Sequence, residues 1–407
     1  MTVRVLVTDL GSKMNRFGGE ARIAGELYHG LKGRFSTYYL GYETAFIGAG
    51  MNAKIVGRER MVATSMMHTG LAENRIMRLG YYFLSGRLMN IGIGRGELRG
   101  FAESVRPDVV IANSVADFPV LRYLRKRGLR FKAVYVDHAS LSTNEIRGFF
   151  SVADAPLTFG SGMLALSTLR AKRAFFRFFD AVVAISKSQQ QAMERFTDRV
   201  HYIPNGLDVA VSRDAAAERE LMRRHGLRSG NFIILYVGRM FDRQKNVSTL
   251  IKAFMGLRSR RARLLLVGDG PSIGYYKRLA GADRRIVFAG SAREGELTHY
   301  YSMASLFVLP SVWEGFNLTM IEASAHGLPI LLSRSAYISD IRGRGVRIPS
   351  FRTLDHSSLE RELRRLMGSR SALERARAAS STIARRFTRK KMLAGYTALI
   401  EKLAGRT

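Results

Sequence analysis

Short, unbroken apolar runs alternate along the whole chain with longer stretches whose apolar residues recur every three or four positions. In the first half the runs, rich in Val, Ile and Leu, stand at residues 3–7, 109–112, 133–136 and 181–185, with helical patterns such as 20–31 and 120–127 between them. The second half repeats the alternation more cleanly, with runs at 232–237, 264–267, 286–288, 306–309 and 330–332. A run that is apolar at every position suits a strand covered on both faces, as in a parallel sheet flanked by helices. The alternation therefore predicts an α/β chain built on doubly wound parallel sheets. After Phe351 the pattern turns helical and basic over residues 357–403, with no further strand. Phe387, Met392, Tyr396 and Ile400 are spaced there as a buried stripe.

A chain of 407 residues is too long for one ordinary core, so two domains are expected. Ile203-Pro204-Asn205-Gly206-Leu207-Asp208 is a turn cluster, and a polar, charged stretch follows over 211–228. The crossover is expected within residues 204–229.

Composition narrows the class. The chain is 46% hydrophobic, and no stretch of about 18 uncharged apolar residues occurs, so no membrane-spanning helix is expected. Met-Thr-Val-Arg-Val-Leu-Val reads as a first strand and lacks the plan of a signal peptide. The absence of cysteine excludes disulfides and thiolate metal sites and agrees with a cytoplasmic location. Charge complicates the picture: 65 basic against 33 acidic residues give +32, spread over both halves. Nucleic acid would suit that charge, but there is no zinc knuckle, RNA-binding signature or basic arm. An anionic membrane surface would also suit it, at roughly 1 kcal/mol per basic residue near the surface. The third reading is an Arg-rich surface of compositional origin. Residues 149–179 bear on this choice, because they end in alternating basic and aromatic positions. They read either as an amphipathic helix with a Phe core face or as an interfacial helix or lid.

Candidate chemistry gathers at strand ends. After the run 306–309, Pro310-Ser311-Val312-Trp313-Glu314-Gly315-Phe316-Asn317 forms a polar loop, and 318–325 reads as a helix with Asn317 as N-cap. Glu314 and Glu322 lie eight residues apart, one in the loop and one a little over a turn into the helix. Both can border a cleft floored by helix-start N–H groups, which attract anions. Run 232–237 leads into Gly238-Arg239-Met240-Phe241-Asp242-Arg243-Gln244-Lys245-Asn246, where Arg239 and Lys245 could clamp a diphosphate. Gly268-Asp269-Gly270-Pro271 and Gly290-Ser291 are further strand-end turns. In the first half, Gly18-Gly19 precedes a helix start, and Asp137-His138 and Asn113-Ser114 end strands. The glycine pair is not a dinucleotide fingerprint, so a nicotinamide enzyme is not expected.

Glu314-Gly-Phe-Asn-Leu through Glu322-Ala, after Leu-Pro-Ser and before Gly327-Leu328-Pro329, closely resembles the Glu-x7-Glu signature of retaining glycosyltransferases of family 4. The resemblance is strong over 238–329 and weaker over 3–208. It implies a GT-B fold: two Rossmann-like domains, 1–204 and 205–385, facing a cleft, with a last helix, 386–407, crossing back to the first. It further implies that Arg239 and Lys245 hold the donor diphosphate, next to Gly238, and that Glu322 holds ribose hydroxyls. Glu314 and the backbone of Gly315, Phe316, Asn317 and Leu318 would orient sugar and phosphate. Gly268, Asp269, Gly290 and Ser291 would border the nucleotide, Gly18 and Gly19 the diphosphate and acceptor, and His138 the donor sugar. The expected reaction moves a hexose-type sugar from a nucleotide-diphosphate donor to a hydroxyl acceptor, such as a lipid-linked glycan, with retention. With no Asp-x-Asp motif, neither metal nor cofactor is expected beyond the UDP- or GDP-sugar co-substrate, and the location would be cytoplasmic or peripheral on the membrane's inner face. A nucleotide-sugar epimerase or hydrolase of the same fold, or a basic polyanion-binding protein, are the alternatives.

Overall fold

The computed structural model describes residues 2–10, 19–41, 53–55, 95–114, 117–138, 172–293, 295–334, 341 and 347–405. The chain divides into two compact units, Met1–Pro204 with Met392–Thr407, and Asn205–Lys391. It passes between them at Pro204/Asn205 and again inside the helix Arg389–Leu403. The polar stretch after the first crossing holds a second-unit helix, Ala215–Arg224, capped by the Asp214 carboxylate.

Among the described residues the first unit carries seven parallel strands: β1 (Arg4–Asp9), β2 (Ser36–Gly41), β3 (Ala53–Ile55), β4 (Val109–Ala112), β5 (Lys132–Asp137), β6 (Ala181–Ala184) and β7 (Val200–Tyr202). Their order is β3-β2-β1-β4-β5-β6-β7. The second carries six, β8 (Phe232–Val237), β9 (Ala262–Val267), β10 (Ile286–Gly290), β11 (Leu306–Leu309), β12 (Ile330–Ser333) and β13 (Ser350–Phe351), in the order β10-β9-β8-β11-β12-β13. The apolar runs are the strands buried at nearly every position, as helices on both faces require. Four strands escaped the sequence pattern. β3, β7 and β13 are sheet edges only two or three residues long, and β2 opens Ser-Thr-Tyr-Tyr, whose hydroxyls mask its burial.

Each sheet reverses its winding once, between β1 and β4 and between β8 and β11. At such a switch point the connections leave in opposite directions and open a crevice at the carboxyl ends of the strands.

Beyond Met392 the last helix belongs to the first unit. Leu393 covers Gly30, Gly395 faces Ile203, and the Arg34 guanidinium donates to Glu401 at 2.7 Å. All four residues of the expected stripe are buried, but Phe387 serves the second unit, edge-on to Phe316 at 4.9 Å. The aromatic face of residues 172–179 is core: Phe175, Phe176 and Phe179 pack around Tyr135, and Phe175 and Phe179 also reach Phe118. Of the two readings of this segment, the amphipathic helix with a Phe core face holds for these phenylalanines, while residues 149–171 lie outside the described residues. Among the described residues no helix is long and apolar enough to cross a membrane.

Strand-end loops of the second sheet lie backbone against backbone. The Gly238 N–H donates to Val267 O at 3.0 Å, Gly268 N–H to Gly290 O at 2.7 Å, and Met240 N–H to Asp269 O at 2.8 Å. Gly268 has φ +132, and a Cβ there would overlap the Gly238 carbonyl. Gly268→Ala should therefore cost about 2 kcal/mol or more in urea unfolding of the second unit. An unchanged midpoint would show that the loops can part without cost.

Candidate functional site

The switch point of the second sheet is closed by an ion pair. β8 ends in Gly238-Arg239-Met240-Phe241, and the helical turn Asp242–Lys245 follows. β11 ends at Pro310, where the ring removes a ladder donor and the polar loop begins. Lys245 Nζ donates to both oxygens of Glu314, at 2.7 and 2.9 Å. The pair is largely withdrawn from water, with side chains 15% and 6% exposed. Asn246 stitches the same two loops. It adopts the left-handed region at φ +50, which asparagine tolerates, and its Nδ2 donates to Pro310 O at 3.1 Å. The Val312 N–H donates back to Gln244 O at 2.8 Å.

Glu314 is bound from its own loop as well. Ser311 Oγ donates to Oε1 at 2.5 Å and Asn317 Nδ2 to the same oxygen at 3.2 Å. Asn317 is the N-cap of the helix Leu318–Ala325, its Oδ1 accepting the Met320 N–H at 3.1 Å. One side chain thus links the helix start to the Lys245–Glu314 pair. Phe316 and Leu318 are buried, Phe316 against Phe387, so these two can meet a ligand through their backbone alone. Glu322, inside the helix and 5% exposed, accepts the Tyr301 hydroxyl on Oε2 at 2.7 Å.

Sequence spacing treats Lys245 and Glu314 as separate hands on a ligand; the structure joins them. Arg239 is exposed, its guanidinium over the Phe241 ring at 5.2 Å, and it makes no ion pair among the described residues. Tyr236 fixes that loop from beneath, its hydroxyl donating to Arg239 O at 3.0 Å. Burial, and then the Glu314 carboxylate, push the Tyr236 phenol well above its ordinary value, so it stays a neutral donor. Asp242 accepts the Tyr276 hydroxyl at 2.9 Å and the Ser248 N–H and hydroxyl at 3.0 and 2.8 Å, anchoring the turn that carries Lys245. The sequence reading missed Tyr236, Asp242, Tyr276, Ser311 and Tyr301 as supports. Only Ser311 had a local signal, lying three residues before Glu314. Asp269 is exposed and its carboxylate takes the Gly270 N–H at 2.7 Å, which shapes its own turn. Gly290, at φ +72, and the exposed Ser291 end β10 on the same side.

The first sheet's switch point has a different character. Asp117 bridges the ends of β1 and β4, accepting the Leu10 N–H at 2.8 Å and the Ser114 N–H at 3.0 Å. Burial, and then the Asp9 charge, push its carboxyl up to about 7. Burial and the charges of Asp9 and Asp117 likewise raise Glu20 well above the usual carboxylate range. His138, half-buried at the end of β5, has Nε2 3.1 Å from Asn113 Oδ1, and desolvation lowers it to about 4. Gly19 begins the helix Gly19–Leu31, and Gly18 lies outside the described residues. Among the described residues no group of three or more His, Asp or Glu is arranged to hold a metal.

Two expectations test these assignments. Removing one member of the Lys245–Glu314 pair strands the other, so Lys245→Met and Glu314→Gln should each cost about 3 kcal/mol in urea unfolding. The double variant should lose about 2 kcal/mol less than their sum, and additive losses would show that the two side chains do not interact. The second concerns pH. Asp117 stands at about 7 against 3.8 unfolded, so the stability it gives at low pH is lost as pH rises to 7. His138 stands at about 4 against 6.5, so its contribution, full above 6.5, is lost as pH falls to 4. The slopes oppose one another in the parent protein. Asp117→Asn removes one of the opposing slopes while Glu20 keeps its own, so between pH 4 and 6.5 the unfolding free energy should gain on the parent's by up to about 1.4 kcal/mol per pH unit. A variant that keeps the parent's pH profile would contradict the Asp117 assignment.

Comparison with known proteins gives this architecture a family. The model described as Glycosyl transferases group 1 matches residues 231–368, and that described as Glycosyltransferase Family 4 matches residues 50–211. The GDP-mannose-dependent alpha-mannosyltransferase of Mycobacterium tuberculosis is 32% identical over 243 residues, covering 58% of this chain and 56% of that protein. The GDP-mannose-dependent alpha-(1-6)-phosphatidylinositol monomannoside mannosyltransferase of the same organism is 30% identical over 149 residues, 33% of this chain and 38% of that protein. The chain spans about two fifths to just over half the length of the curated relatives it matches. Among solved structures, Anabaena HepE in complex with UDP and glucose superposes with a TM-score of 0.72 at 16% identity, over 98% of this chain and 100% of that one. Sucrose-phosphate synthase from Thermosynechococcus elongatus gives 0.71 at 17% over the full length of both. That likeness establishes the fold, two Rossmann-like parallel-sheet units of the GT-B kind. With both family models matched, in the order the two units follow along the sequence, the chain belongs to the group 1, family 4 glycosyltransferases.

Proposed function

We propose that this chain transfers a hexose-type sugar from a nucleotide-diphosphate donor to a hydroxyl acceptor, with retention and without a metal ion. The observation that carries the reading is the Lys245–Glu314 pair at the switch point of the second sheet, tied through Asn317 to a capped helix start. A largely buried ammonium beside helix-start N–H groups is a strong site for a diphosphate. Arg239, exposed on the same strand-end loop, adds a guanidinium fork. Glu322 would accept ribose hydroxyls on a carboxylate already steadied by Tyr301. Gly315 and its neighbours would offer backbone N–H groups to the donor, and Gly238, Gly268, Asp269, Gly290 and Ser291 would border the nucleotide. Gly18, Gly19 and His138 would serve the sugar and acceptor side.

In the proposed step the acceptor oxygen bonds to the anomeric carbon on the face from which the nucleoside diphosphate departs. The bond from that carbon to the phosphate oxygen breaks, and the acceptor's proton passes to the departing phosphate. Arg239 and Lys245 balance the charge that builds there. The names of relatives suggest a donor panel: the mycobacterial enzymes are GDP-mannose-dependent, and HepE was crystallised with UDP and glucose. A lipid-linked acceptor at an anionic, cytoplasmic-side membrane surface agrees with the phosphatidylinositol-linked substrate of one relative and with the charge of +32.

Nucleoside-diphosphate release, measured over a panel of UDP- and GDP-hexoses with and without lipid extract, tests the proposal. Release should depend on acceptor, persist in EDTA, and fall about 100-fold or more in Lys245→Ala. Isomerised donor, or release that ignores acceptor, would replace transfer with epimerisation or hydrolysis.

A further inference from the structure

Asn113, at 1% exposure, directs its polar atoms to two different strand ends. Its Nδ2 donates to the Thr8 carbonyl at 3.1 Å, and its own backbone N–H reaches the same oxygen at 3.1 Å. A carbonyl oxygen can only accept, so turning the amide over would set two acceptors face to face. Oδ1 must therefore point to His138, whose Nε2 is 3.1 Å away. Oδ1 also only accepts, so the hydrogen between them sits on Nε2. The ring is neutral at physiological pH, because desolvation holds it near 4. A neutral imidazole carries a single N–H, which leaves Nδ1 with a lone pair, and Nδ1 has no partner among the described residues.

We propose that Asn113 is a positioning residue that locks His138 as the Nε2–H tautomer, so that His138 meets a bound sugar solely as a hydrogen-bond acceptor through Nδ1. The inference rests on the reading above that His138 faces the sugar, and it deepens that reading. An acceptor nitrogen selects a hydroxyl over a deoxy carbon or an ether oxygen, since neither of those can donate. An Nδ1–H tautomer would lose the selection against the ether, since hydroxyl and ether oxygens both accept.

The full chain labelled with 15N-histidine tests this by long-range 1H–15N correlation spectra at neutral pH. The eight histidines are separated by using His138→Gln to assign the resonance in question. The parent protein should show His138 as the Nε2–H tautomer alone, and Asn113→Ala should show both tautomers. An Nδ1–H pattern in the parent overturns the inference and needs no variant to fold; an unchanged pattern in Asn113→Ala overturns it equally. Turnover adds a second readout. Asn113→Ala should lower kcat/KM about three- to tenfold for the full sugar donor, the worth of one hydrogen bond, and leave a donor deoxygenated at the contacted position unaffected. Equal losses on both donors would remove the selection. If His138→Gln transfers the sugar as well as the parent does, while the parent's spectrum is Nε2–H, then the placement of His138 at the sugar fails and the tautomer assignment stands.

Discussion

A buried ammonium must find a carboxylate, and in the second unit this requirement joins loops that the topology drives apart. At the switch point between β8 and β11 the connections leave to opposite faces, so the sheet's own ladder closes nothing beyond the last paired residues. Lys245 and Glu314 span the opening, and the Asn246–Pro310 and Val312–Gln244 hydrogen bonds hold the backbones in register beneath them. Such a pair is a poor device for stability alone, because desolvation consumes most of the Coulomb gain and two apolar side chains would serve as well. In the proposed reaction its value lies in placing a cation at the mouth of the crevice with its counter-charge in place before the donor phosphate arrives. The Ser311 hydroxyl and the Asn317 amide supply the polar contacts that make so buried a carboxylate tolerable.

What the sequence disclosed follows from the range over which each signal acts. Strands flanked by helices on both faces are apolar throughout, so β4, β8 and β11 were legible to the residue. The Asn317 cap was equally legible, since a cap and its helix are adjacent in sequence. Short edge strands such as β3 and β13 leave too few positions for any periodicity. Motif spacing singled out Lys245 and Glu314 one by one, yet nothing in it says that they bond across a sequence separation of 69. The same holds for Asp242 with Tyr276 and for Tyr301 with Glu322, where a polar group finds its partner only after the sheet has formed. The aromatic segment 172–179 is a case that sequence leaves open. Its alternation of Arg and Phe was open to two readings, and packing around Tyr135 decided for the core.

The two switch points answer to different chemistry by one rule, that burial penalises the charged form. In the second unit the penalty is met by pairing opposite charges, which keeps a permanent cation and anion at the strand ends and suits a ligand that is itself an anion. In the first unit the groups around the Asp9 charge meet it by discharge: Asp117 is pushed up to about 7, Glu20 lies well above its ordinary value, and His138 stays neutral. Groups in that state attract a phosphate little, but they give and accept hydrogen bonds without having to shed a tight hydration shell. Hydroxyl-rich molecules are recognised by just such neutral contacts, whose strength comes from geometry, and geometry there is imposed by Asn113 and Asp117 clamping the ends of β1 and β4. A surface charge of +32 could not make this distinction, because it bathes both units alike. For the proposed reaction, discrimination between a charged diphosphate and an uncharged hydroxyl has to be written in the buried residues, and that is where the two units differ.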